Sequence, residues 1–287
     1  MPKQIYLTID DSPSTSFRSN LDFLIAHEIP AVFFCIGSLM QQYWQDIIYA
    51  IQQGYLIGNH SYNHPHFSDL SLGQAKKEIY KTDKLIHKAY TEAGVEYYDR
   101  LFRFPYGDKG DGKYGFHFMD FVQANKKRQG RWDRLVSKIN SFNPINSMGE
   151  AHREAEEAEK AYRLQQYLFQ LGYVRGDLIG VDYDFFHALS TGQDWSWTFD
   201  IGEYRWDGKQ SESEFLTTVY DRLDSERPED YRGDIGEPSG LQVENYIDIV
   251  LFHDRDATNV FFEPIIKYLL RKQVEFLPID FDQIKMV

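Results

Sequence analysis

Short apolar runs alternate with segments of helical periodicity along most of this chain. Runs typical of buried strands occupy residues 3–9, 29–37, 55–60, 101–107, 178–184, 248–254 and 274–280. Helical patterns occupy residues 17–27, 38–54, 71–94, 211–225 and 258–273. This alternation predicts an α/β fold built on a parallel sheet. About seven strands favour a closed or nearly closed barrel over a small Rossmann sheet.

The alternation is interrupted between residue 108 and about residue 160. This segment begins polar and ends in a highly charged run, EAHREAEEAEK at residues 150–160, which predicts a helix that ends near Gly172. A separate domain of about 50 residues would bury little apolar surface. We therefore interpret residues 108–160 as a partly helical insertion within a single domain that spans residues 1–287.

The composition narrows the classes of function. Hydrophobic residues make up 42% of the chain, and aromatic residues, at 16%, exceed what a core needs, so some could line a groove for sugar rings. A formal net charge of −13 argues against nucleic acid as a partner and against docking on anionic membranes, since both depend on Lys and Arg. The single cysteine, Cys35, excludes an internal disulfide.

The sequence shows neither a signal-peptide pattern before the first strand nor an apolar run of the ~20 residues that a membrane span requires. We therefore expect a cytoplasmic protein without a membrane span, or a secreted one if a leader precedes this sequence. The oligomeric state is left open.

Chemically reactive side chains lie at the ends of four predicted strands. They are Asp10 and Asp11, His60 and His64, Arg103, and His253 and Asp254. In parallel α/β folds, functional residues collect at the edge where the carboxyl ends of the strands meet. We therefore expect these side chains to form one site.

Two of these strand ends carry residues that bind metals. His60 and His64 are four residues apart, and with one aspartate they form a two-histidine, one-carboxylate set that leaves coordination positions open. Successive side chains of an extended strand face opposite ways. One of Asp10 and Asp11 is therefore expected to ligate a divalent ion, and the other to act as a general base toward water.

Taken in order, the motifs resemble those of the polysaccharide deacetylase family, the NodB-like carbohydrate esterases that remove N- or O-acetyl groups. TIDDSP at residues 8–13 matches the T-F-D-D-G-P motif, with Ile9 and Ser12 in place of Phe and Gly. HSYNH at 60–64, RFPY at 103–106, DW at 194–195 and LFH at 251–253 match the other four motifs. The resemblance covers nearly the whole chain apart from the insertion. It implies a distorted (β/α)7-type barrel.

The resemblance also implies a role for each matching residue. Asp11, His60 and His64 would bind a divalent metal ion, usually zinc. Asp10 would be the catalytic base, held in place by Arg103. His253 would be the acid that protonates the leaving amine, tuned by Asp194. The backbone N–H of Tyr106 would help to stabilise the oxyanion, and the motif residues Pro105 and Leu251 would lie on the substrate side. Independently of the resemblance, the rings of Trp195, Trp197 and Tyr106 could stack on a sugar, with core packing an equal expectation for Trp197.

Two departures from the family pattern affect these assignments. Ser12 replaces the usual Gly directly after the expected ligand, so strain is expected there. The fourth motif is also displaced: Asp182 and Asp184 lie in the run at 178–184, whereas Asp194 follows about ten residues later. We prefer Asp194 as the residue that tunes His253, with Asp182 as the alternative.

The leading hypothesis is a metal-dependent hydrolase that removes N-acetyl or O-acetyl groups from a carbohydrate. One alternative is an amidohydrolase or deformylase of the same fold that acts on a small amide. Another is a carbohydrate-binding protein without catalysis, which the presence of both Asp10 and His253 disfavours. The sequence does not identify the sugar, the acyl group or the metal.

Overall fold

The computed structural model describes residues 2–97, 99–111, 144–176, 178–183, 186–187, 190, 192–226, 240–241 and 246–281, with the backbone alone over residues 144–155. Strand β1 (Gln4–Ser12) lies in the middle of a parallel sheet. On one side it pairs with β2 (Val32–Cys35), followed by β3 (Leu56–Asn59); on the other it pairs with β5 (Asp248–His253), followed by β4 (Phe199–Asp200). Strand β6 (Glu275–Phe276) pairs with the first residues of β1.

The chain beyond β3 closes the sheet into a barrel. Phe102 forms a parallel bridge with Asn59, and its carbonyl accepts a hydrogen bond of 2.8 Å from the N–H of Trp195. The residues after Trp195 lead into β4, which pairs with β5. The α/β class and the parallel sheet predicted from the sequence are therefore confirmed.

Two predicted strands are wrong. The run at residues 101–107 forms an isolated bridge at Phe102 and a 3-10 turn at Pro105–Gly107, because Pro105 interrupts the extended backbone. The apolar run at residues 178–184 forms turns over its described part, and the strand beside β5 is the two-residue β4 instead. Leu178, Val181 and Tyr183 are buried among the side chains inside the barrel. Their apolar pattern therefore reports burial rather than extended backbone.

Helices connect the strands and cover the outside of the barrel. They are α1 (Phe17–Ala26), α2 (Gly37–Met40), α3 (Trp44–Gln52), α4 (Leu72–Ala93), α5 (Pro144–Gln170), α6 (Glu212–Asp224) and α7 (Phe262–Arg271). The pattern at 38–54 predicted one helix. The chain instead turns at residues 41–43, so this stretch forms α2 and α3.

The ends of α4 and α6 follow the capping residues of the sequence. Ser71 and Gln74 form a capping box at the start of α4, and Gly94 ends that helix with a φ of 73°. Ser211 and Glu214 form the same box at the start of α6. These short polar side chains satisfy backbone N–H groups that have no partner in the first helical turn.

The predicted insertion is only partly described, because residues 112–143 lie outside the described residues. Its helical part is present as α5, which ends two residues before Gly172, in agreement with the sequence. Leu164 and Leu168 of α5 are buried with Phe67 and Phe102. This helix therefore packs directly on the edge of the barrel.

The alternation of side chains along β1 sorts them between two cores. Ile5, Leu7 and Ile9 pack under the surrounding helices, whereas Tyr6 packs with the side chains inside the barrel. Thr8 and Asp10 continue the inward-facing row, as the period of two in a strand requires. The first aspartate of the pair is thus directed into the barrel by the pattern of its own strand.

Candidate active site

The carboxyl ends of β1, β3 and β5 bring the expected reactive residues together. Asp11 at the end of β1 meets two histidines from the segment that follows β3. Three ligand atoms face one another there: Oδ1 of Asp11 lies 3.0 Å from Nε2 of His64 and 3.5 Å from Nε2 of His60, and the two histidine nitrogens are 3.2 Å apart. This grouping matches the metal set inferred from the sequence.

The protonation of this cluster favours a cation. Nδ1 of His60 is 2.8 Å from the carbonyl oxygen of Arg103, which places the proton on Nδ1 and leaves a lone pair on Nε2. Burial lowers the pKa of His64 below its ordinary value, which favours the neutral ring. Among the described residues, Oδ1 of Asp11 is buried and accepts no hydrogen bond. Three electron-rich atoms at such short distances fit a bound divalent ion.

The charged state of Asp11 is stabilised by its neighbours. Burial alone would raise the pKa of this carboxyl, but His60, His64 and His253 outweigh it and hold the pKa well below the ordinary value. A carboxylate that stays ionised at neutral pH is the form that binds a metal ion.

Backbone strain is concentrated around the same atoms. Asp11, Ser61, His64 and Tyr106 have φ between 55° and 65°, and they are four of the six non-glycine residues with positive φ in the described chain. Such conformations cost free energy and cluster at functional sites. The strain therefore lies on two of the three candidate ligands, Asp11 and His64, and on two of their neighbours; Ser12, where the sequence predicted it, is not among the six.

The left-handed backbone of Asp11 also changes the direction of its side chain. In a regular strand the side chains of Asp10 and Asp11 would face opposite ways, which was the expectation. Instead Oδ2 of Asp10 lies 3.6 Å from Nε2 of His60, and Oδ1 of Asp11 lies 3.5 Å from the same nitrogen. Both carboxylates thus converge on one histidine.

Asp10 is paired with a fully buried arginine. Nη1 of Arg103 donates to Oδ1 of Asp10 at 2.8 Å and to the hydroxyl of Thr8 at 2.9 Å. Nε and Nη2 donate to the carbonyl oxygens of Trp195 and Ser196. Burial lowers the pKa of Arg103, and the charge of Asp10 opposes that effect. The predicted Asp10–Arg103 pair is therefore present in the structure.

A residue that the sequence did not single out holds the loop between the two histidines. Oε2 of Glu78 in α4 accepts hydrogen bonds from the backbone N–H groups of Tyr62 and Asn63, and Oε1 accepts one from the side chain of Asn63. The hydroxyl of Ser61 accepts from the N–H of His64 at 3.0 Å. The local sequence of α4 does not mark Glu78 as a residue of the site, because its hydrogen bonds reach Tyr62 and Asn63, which lie 16 and 15 positions earlier in the chain.

The carboxylate beside His253 is Glu203. Oε1 of Glu203 lies 2.9 Å from Nδ1 of His253 and accepts a hydrogen bond of 3.0 Å from the backbone N–H of His253. Burial lowers the pKa of His253, but Glu203, Asp200 and Asp11 outweigh burial and raise this pKa to about 9. His253 is therefore held in its protonated form at neutral pH.

Both residues that the sequence offered for this role are engaged elsewhere. Asp194 is buried, forms an ion pair of 3.0 Å with Lys109, and accepts a hydrogen bond of 2.7 Å from Gln165 of α5. Asp182 forms an exposed pair with His187, and Asp184 lies outside the described residues. The prediction that Asp194 or Asp182 tunes His253 is wrong, because the carboxylate bonded to this imidazole is Glu203 and both aspartates have other partners.

Asp200, Glu203 and His253 form a second group whose potential ligand atoms are close together. The oxygens of Asp200 already accept hydrogen bonds from the N–H of Gly202 and the hydroxyl of Tyr204. One oxygen of Glu203 is used by His253. This arrangement is typical of a hydrogen-bonded acid–imidazole pair.

The four residues expected on the substrate side occupy different environments. Tyr106 is 47% exposed, and its ring stacks on His66 with the ring centres 3.9 Å apart. Trp195 is 1% exposed and donates its indole N–H to the carbonyl of Val174, so the prediction that it stacks on a sugar is wrong. Pro105 and Leu251 are buried as well. Of the four, Tyr106 alone presents its side chain to solvent.

Arg255 is a further residue of the site that the sequence did not reveal. It follows His253 by two positions, and its Nε donates a hydrogen bond to Oδ2 of Asp11. The charge of Asp11 raises the pKa of this arginine, against the opposing effect of burial. In the sequence, the position of this arginine two residues after the L-F-H motif was the only hint that it belongs to the site. Its contact with Asp11 depends on the fold, because the two residues are 244 positions apart.

A cavity of about 580 Å³ lies at the opposite end of the barrel, among the residues that precede β2 and β3 and those that follow β6. Its lining is mostly apolar and contains none of the reactive residues described above. The chemistry of the molecule therefore lies at the carboxyl edge of the sheet and not in this cavity.

Comparison with known proteins agrees with the motifs. Residues 1–114 match the family model described as polysaccharide deacetylase. A chitooligosaccharide deacetylase of Sinorhizobium fredii is 35% identical over 104 residues, which are 36% of this chain and 46% of that protein. A peptidoglycan-N-acetylmuramic acid deacetylase of Bacillus subtilis is 37% identical over 110 residues, which are 38% of this chain and 22% of that protein. The aligned regions are under half the length of these two relatives.

The fold is shared with solved structures. A polysaccharide deacetylase of Bacillus cereus superposes with a TM-score of 0.55 at 17% sequence identity, over 98% of this chain and 94% of that one. At this identity the similarity establishes the fold. No helix in the described part of the chain is both long enough and apolar enough to span a membrane.

Proposed function

We propose that this chain, whose residues 1–114 match the polysaccharide deacetylase family model, is a metal-dependent hydrolase that removes N-acetyl groups from a carbohydrate. One observation carries the proposal. The ligand atoms of Asp11, His60 and His64 converge beside the buried Asp10–Arg103 pair. A cation site next to a carboxylate that is not needed as a ligand is the arrangement expected for hydrolysis.

Asp11, His60 and His64 would hold the divalent ion, for which zinc is the leading candidate. An ion bound there would supply Lewis acidity toward the acyl oxygen and acidify water. Histidine nitrogens and one carboxylate oxygen form a ligand set that zinc accepts readily while coordination positions stay open.

Asp10 would act as the general base. Its Oδ1 is occupied by Arg103, whereas Oδ2 lies toward His60 at the ligand cluster. The buried guanidinium fixes the orientation of the carboxylate. Asp10 can therefore accept a proton from an attacking water without losing its position.

His253 would act as the general acid. Its Nδ1 is tied to Glu203, which leaves Nε2 to donate a proton to the leaving nitrogen. A pKa of about 9 keeps the imidazolium form populated at neutral pH. An amine is a poor leaving group unless it is protonated, so this donor matters more for an amide than for an ester.

The backbone N–H of Tyr106 is proposed as a donor to the oxyanion of the tetrahedral intermediate. Tyr106 has a φ of 59°, and its ring lies edge-on to His64 with the ring centres 4.5 Å apart. Its side chain therefore contacts the ligand cluster, and its backbone has a conformation that a side-chain-bearing residue rarely adopts.

The test is acetate release from chitotetraose, peptidoglycan, acetylxylan and small amides, with formate measured in parallel. We expect acetate from at least one N-acetylated carbohydrate, loss of that activity after chelation, and recovery when zinc or another divalent ion is added. Full activity in protein shown to be free of metal would contradict the proposal. Formate release from a small amide alone would favour a deformylase.

A further inference from the structure

Arg255 lies at the edge of the candidate metal site and is only partly used there. Its side chain is 38% exposed, and its Nε donates to Oδ2 of Asp11. Within the described part of the chain, this is the only hydrogen bond of Arg255. A guanidinium carries five N–H donors, so the groups on Nη1 and Nη2 are available to a ligand.

The surroundings of Arg255 place it on the wall of the substrate site. Its guanidinium carbon is 5.5 Å from the centre of the Tyr204 ring, and that ring packs edge-on against the imidazole of His253 with 4.7 Å between the ring centres. Arg255 therefore contacts a proposed metal ligand on one side and lies next to the ring that covers the proposed acid on the other.

The charge of Arg255 is not fully offset by its partner. Oδ1 of Asp11 faces the two histidines, so the single negative charge of this carboxylate is shared between the cation site and Arg255. Glu203 also acts on the charge of Arg255, but among the described residues no carboxylate is hydrogen-bonded to Nη1 or Nη2. A planar guanidinium in this state binds carboxylates through two parallel hydrogen bonds.

We propose that Arg255 forms a carboxylate subsite and that the substrate is an N-acetylated sugar whose own carboxylate lies close to the N-acetyl group. This inference rests on the proposed function. Because Arg255 contacts a metal ligand directly, its anion must lie near the acyl group that is hydrolysed. N-acetylmuramic acid has this chemistry: its lactyl ether is on C3, next to the N-acetyl group on C2.

Similarity to known proteins does not distinguish a neutral sugar substrate from an acidic one. One relative is named for neutral chitooligosaccharides and another for peptidoglycan N-acetylmuramic acid, at 35% and 37% identity. Both alignments cover 38% of this chain or less. The choice between a neutral and an acidic sugar comes from the arginine.

The experiment compares three tetrasaccharides on the zinc-loaded full chain: chitotetraose, the alternating N-acetylglucosamine–N-acetylmuramic acid tetrasaccharide, and the same compound with its lactyl carboxylates amidated. We expect the acidic compound to have the highest kcat/KM. Arg255→Gln should lower kcat/KM for the acidic compound about 10- to 100-fold, the usual worth of a hydrogen bond to a charged group. Because Arg255 also contacts Asp11, the same variant can lower kcat/KM for all three compounds. The subsite predicts a loss on the acidic compound at least about 10-fold larger than the loss on its amidated form.

Binding provides a readout that does not depend on turnover. Calorimetry with the zinc-loaded Asp10→Asn variant should detect the acidic tetrasaccharide, with an affinity that falls as salt rises and that is lost when Arg255→Gln is added. Zinc content is measured for every variant, since Arg255 contacts Asp11. Arg205→Gln is the matched control, because Arg205 is exposed and lies 5.9 Å from the same Tyr204 ring.

The outcomes separate the two proposals. Equal losses on the acidic and amidated compounds at full zinc content would show that Arg255 acts through Asp11, and would overturn the subsite. If Arg255→Gln does not change the hydrolysis of the acidic compound, the proposed carboxylate subsite is overturned as well. If no tetrasaccharide is hydrolysed but the acidic one binds in an Arg255-dependent way, the subsite stands and the proposed function fails.

Discussion

At the scale of single residues, Asp10 and Asp11 show how neighbours of identical chemistry acquire different tasks. Asp10 continues the inward-facing row of β1 and meets Arg103. Asp11 has a φ of 63°, which turns its carboxylate onto the two histidines. The difference is set by the backbone and by the partners, since both side chains are almost fully buried.

Asp10→Asn should abolish most turnover and leave the metal in place. The amide can still accept a hydrogen bond from Arg103 but cannot take a proton from water, so we expect kcat to fall about 10²- to 10⁴-fold. The measurement is acetate release together with zinc content by elemental analysis. Asp11→Asn is the matched control and should lose zinc. Loss of zinc in the Asp10 variant instead would mean that the two roles are exchanged.

Glu203→Gln should lower the pKa of His253. In the metal-free protein this pKa is raised from the ordinary 6.5 to about 9, so protonated His253 stabilises the fold below pH 6.5, and this contribution is lost as pH rises through about 9. Removing the carboxylate removes a major cause of the shift. NMR titration of the imidazole measures it.

Asp182→Asn serves as the control for that titration, because Asp182 pairs with the exposed His187 and not with His253. In the Asp182→Asn variant, the midpoint of the His253 titration should match that of the wild-type protein. An unchanged midpoint in Glu203→Gln would show that another group holds the proton on His253.

At the scale of elements, helix α5 connects two loops of the site. The ammonium of Lys160 donates to the carbonyl oxygens of Phe67, Ser68 and Leu70, in the turn that follows the second histidine. Gln165, on the same helix, contacts Asp194 and accepts from the N–H of Gln193. The segment expected to be an insertion thus supports the positions of residues on both sides of the candidate metal centre.

Lys160→Met should destabilise the protein and weaken zinc binding. The variant keeps the aliphatic part of the side chain but leaves three carbonyl oxygens without their charged donor, which we expect to cost about 1–3 kcal/mol of unfolding free energy. Urea denaturation and a competitive zinc titration measure the two effects. Lys88→Met, at an exposed pair with Glu92, is the control and should change neither. Wild-type zinc affinity in Lys160→Met would show that the turn does not depend on α5.

At the scale of the whole molecule, one arginine joins the site to the closure of the barrel. Arg103 binds Asp10 and Thr8 on β1 and the carbonyl oxygens of Trp195 and Ser196 on the segment that leads to β4. Its guanidinium also lies 4.3 Å from the centre of the Phe34 ring inside the barrel. Site and fold therefore share a residue, and their stabilities are linked.

Arg103→Met should destabilise the metal-free protein by about 3–5 kcal/mol, because it leaves Asp10 buried without its counter-charge. Urea denaturation at neutral pH measures this loss. The double variant Arg103→Met/Asp10→Leu should recover part of it, since the unpaired charge is then gone. Arg18→Met, at an exposed pair with Asp22, should have a much smaller effect. A small loss in Arg103→Met would contradict the linkage.

Much of the fold and part of the site could be predicted from local pattern. The helical periodicity at residues 71–94 and 211–225 located α4 and α6, and in the structure a capping box starts each of these helices. The ligand group of Asp11, His60 and His64 could be predicted because parallel strands bring their carboxyl ends to one edge. The backbone conformation of residues 178–184 could not be predicted from local pattern, since an apolar run is compatible with a buried strand and equally with buried turns.

By itself the sequence determined the resemblance to polysaccharide deacetylases, the parallel α/β class, the candidate metal-binding residues and the Asp10–Arg103 pairing, because each is carried by short motifs at strand ends. Only the tertiary structure decided that Glu203 and not Asp194 accompanies His253, that Trp195 is buried, that Glu78 holds the loop between the two histidines, and that Arg255 contacts Asp11. These contacts join residues from about 15 to more than 240 positions apart. No local pattern encodes them, because they depend on how the barrel closes and on which loops then face one another.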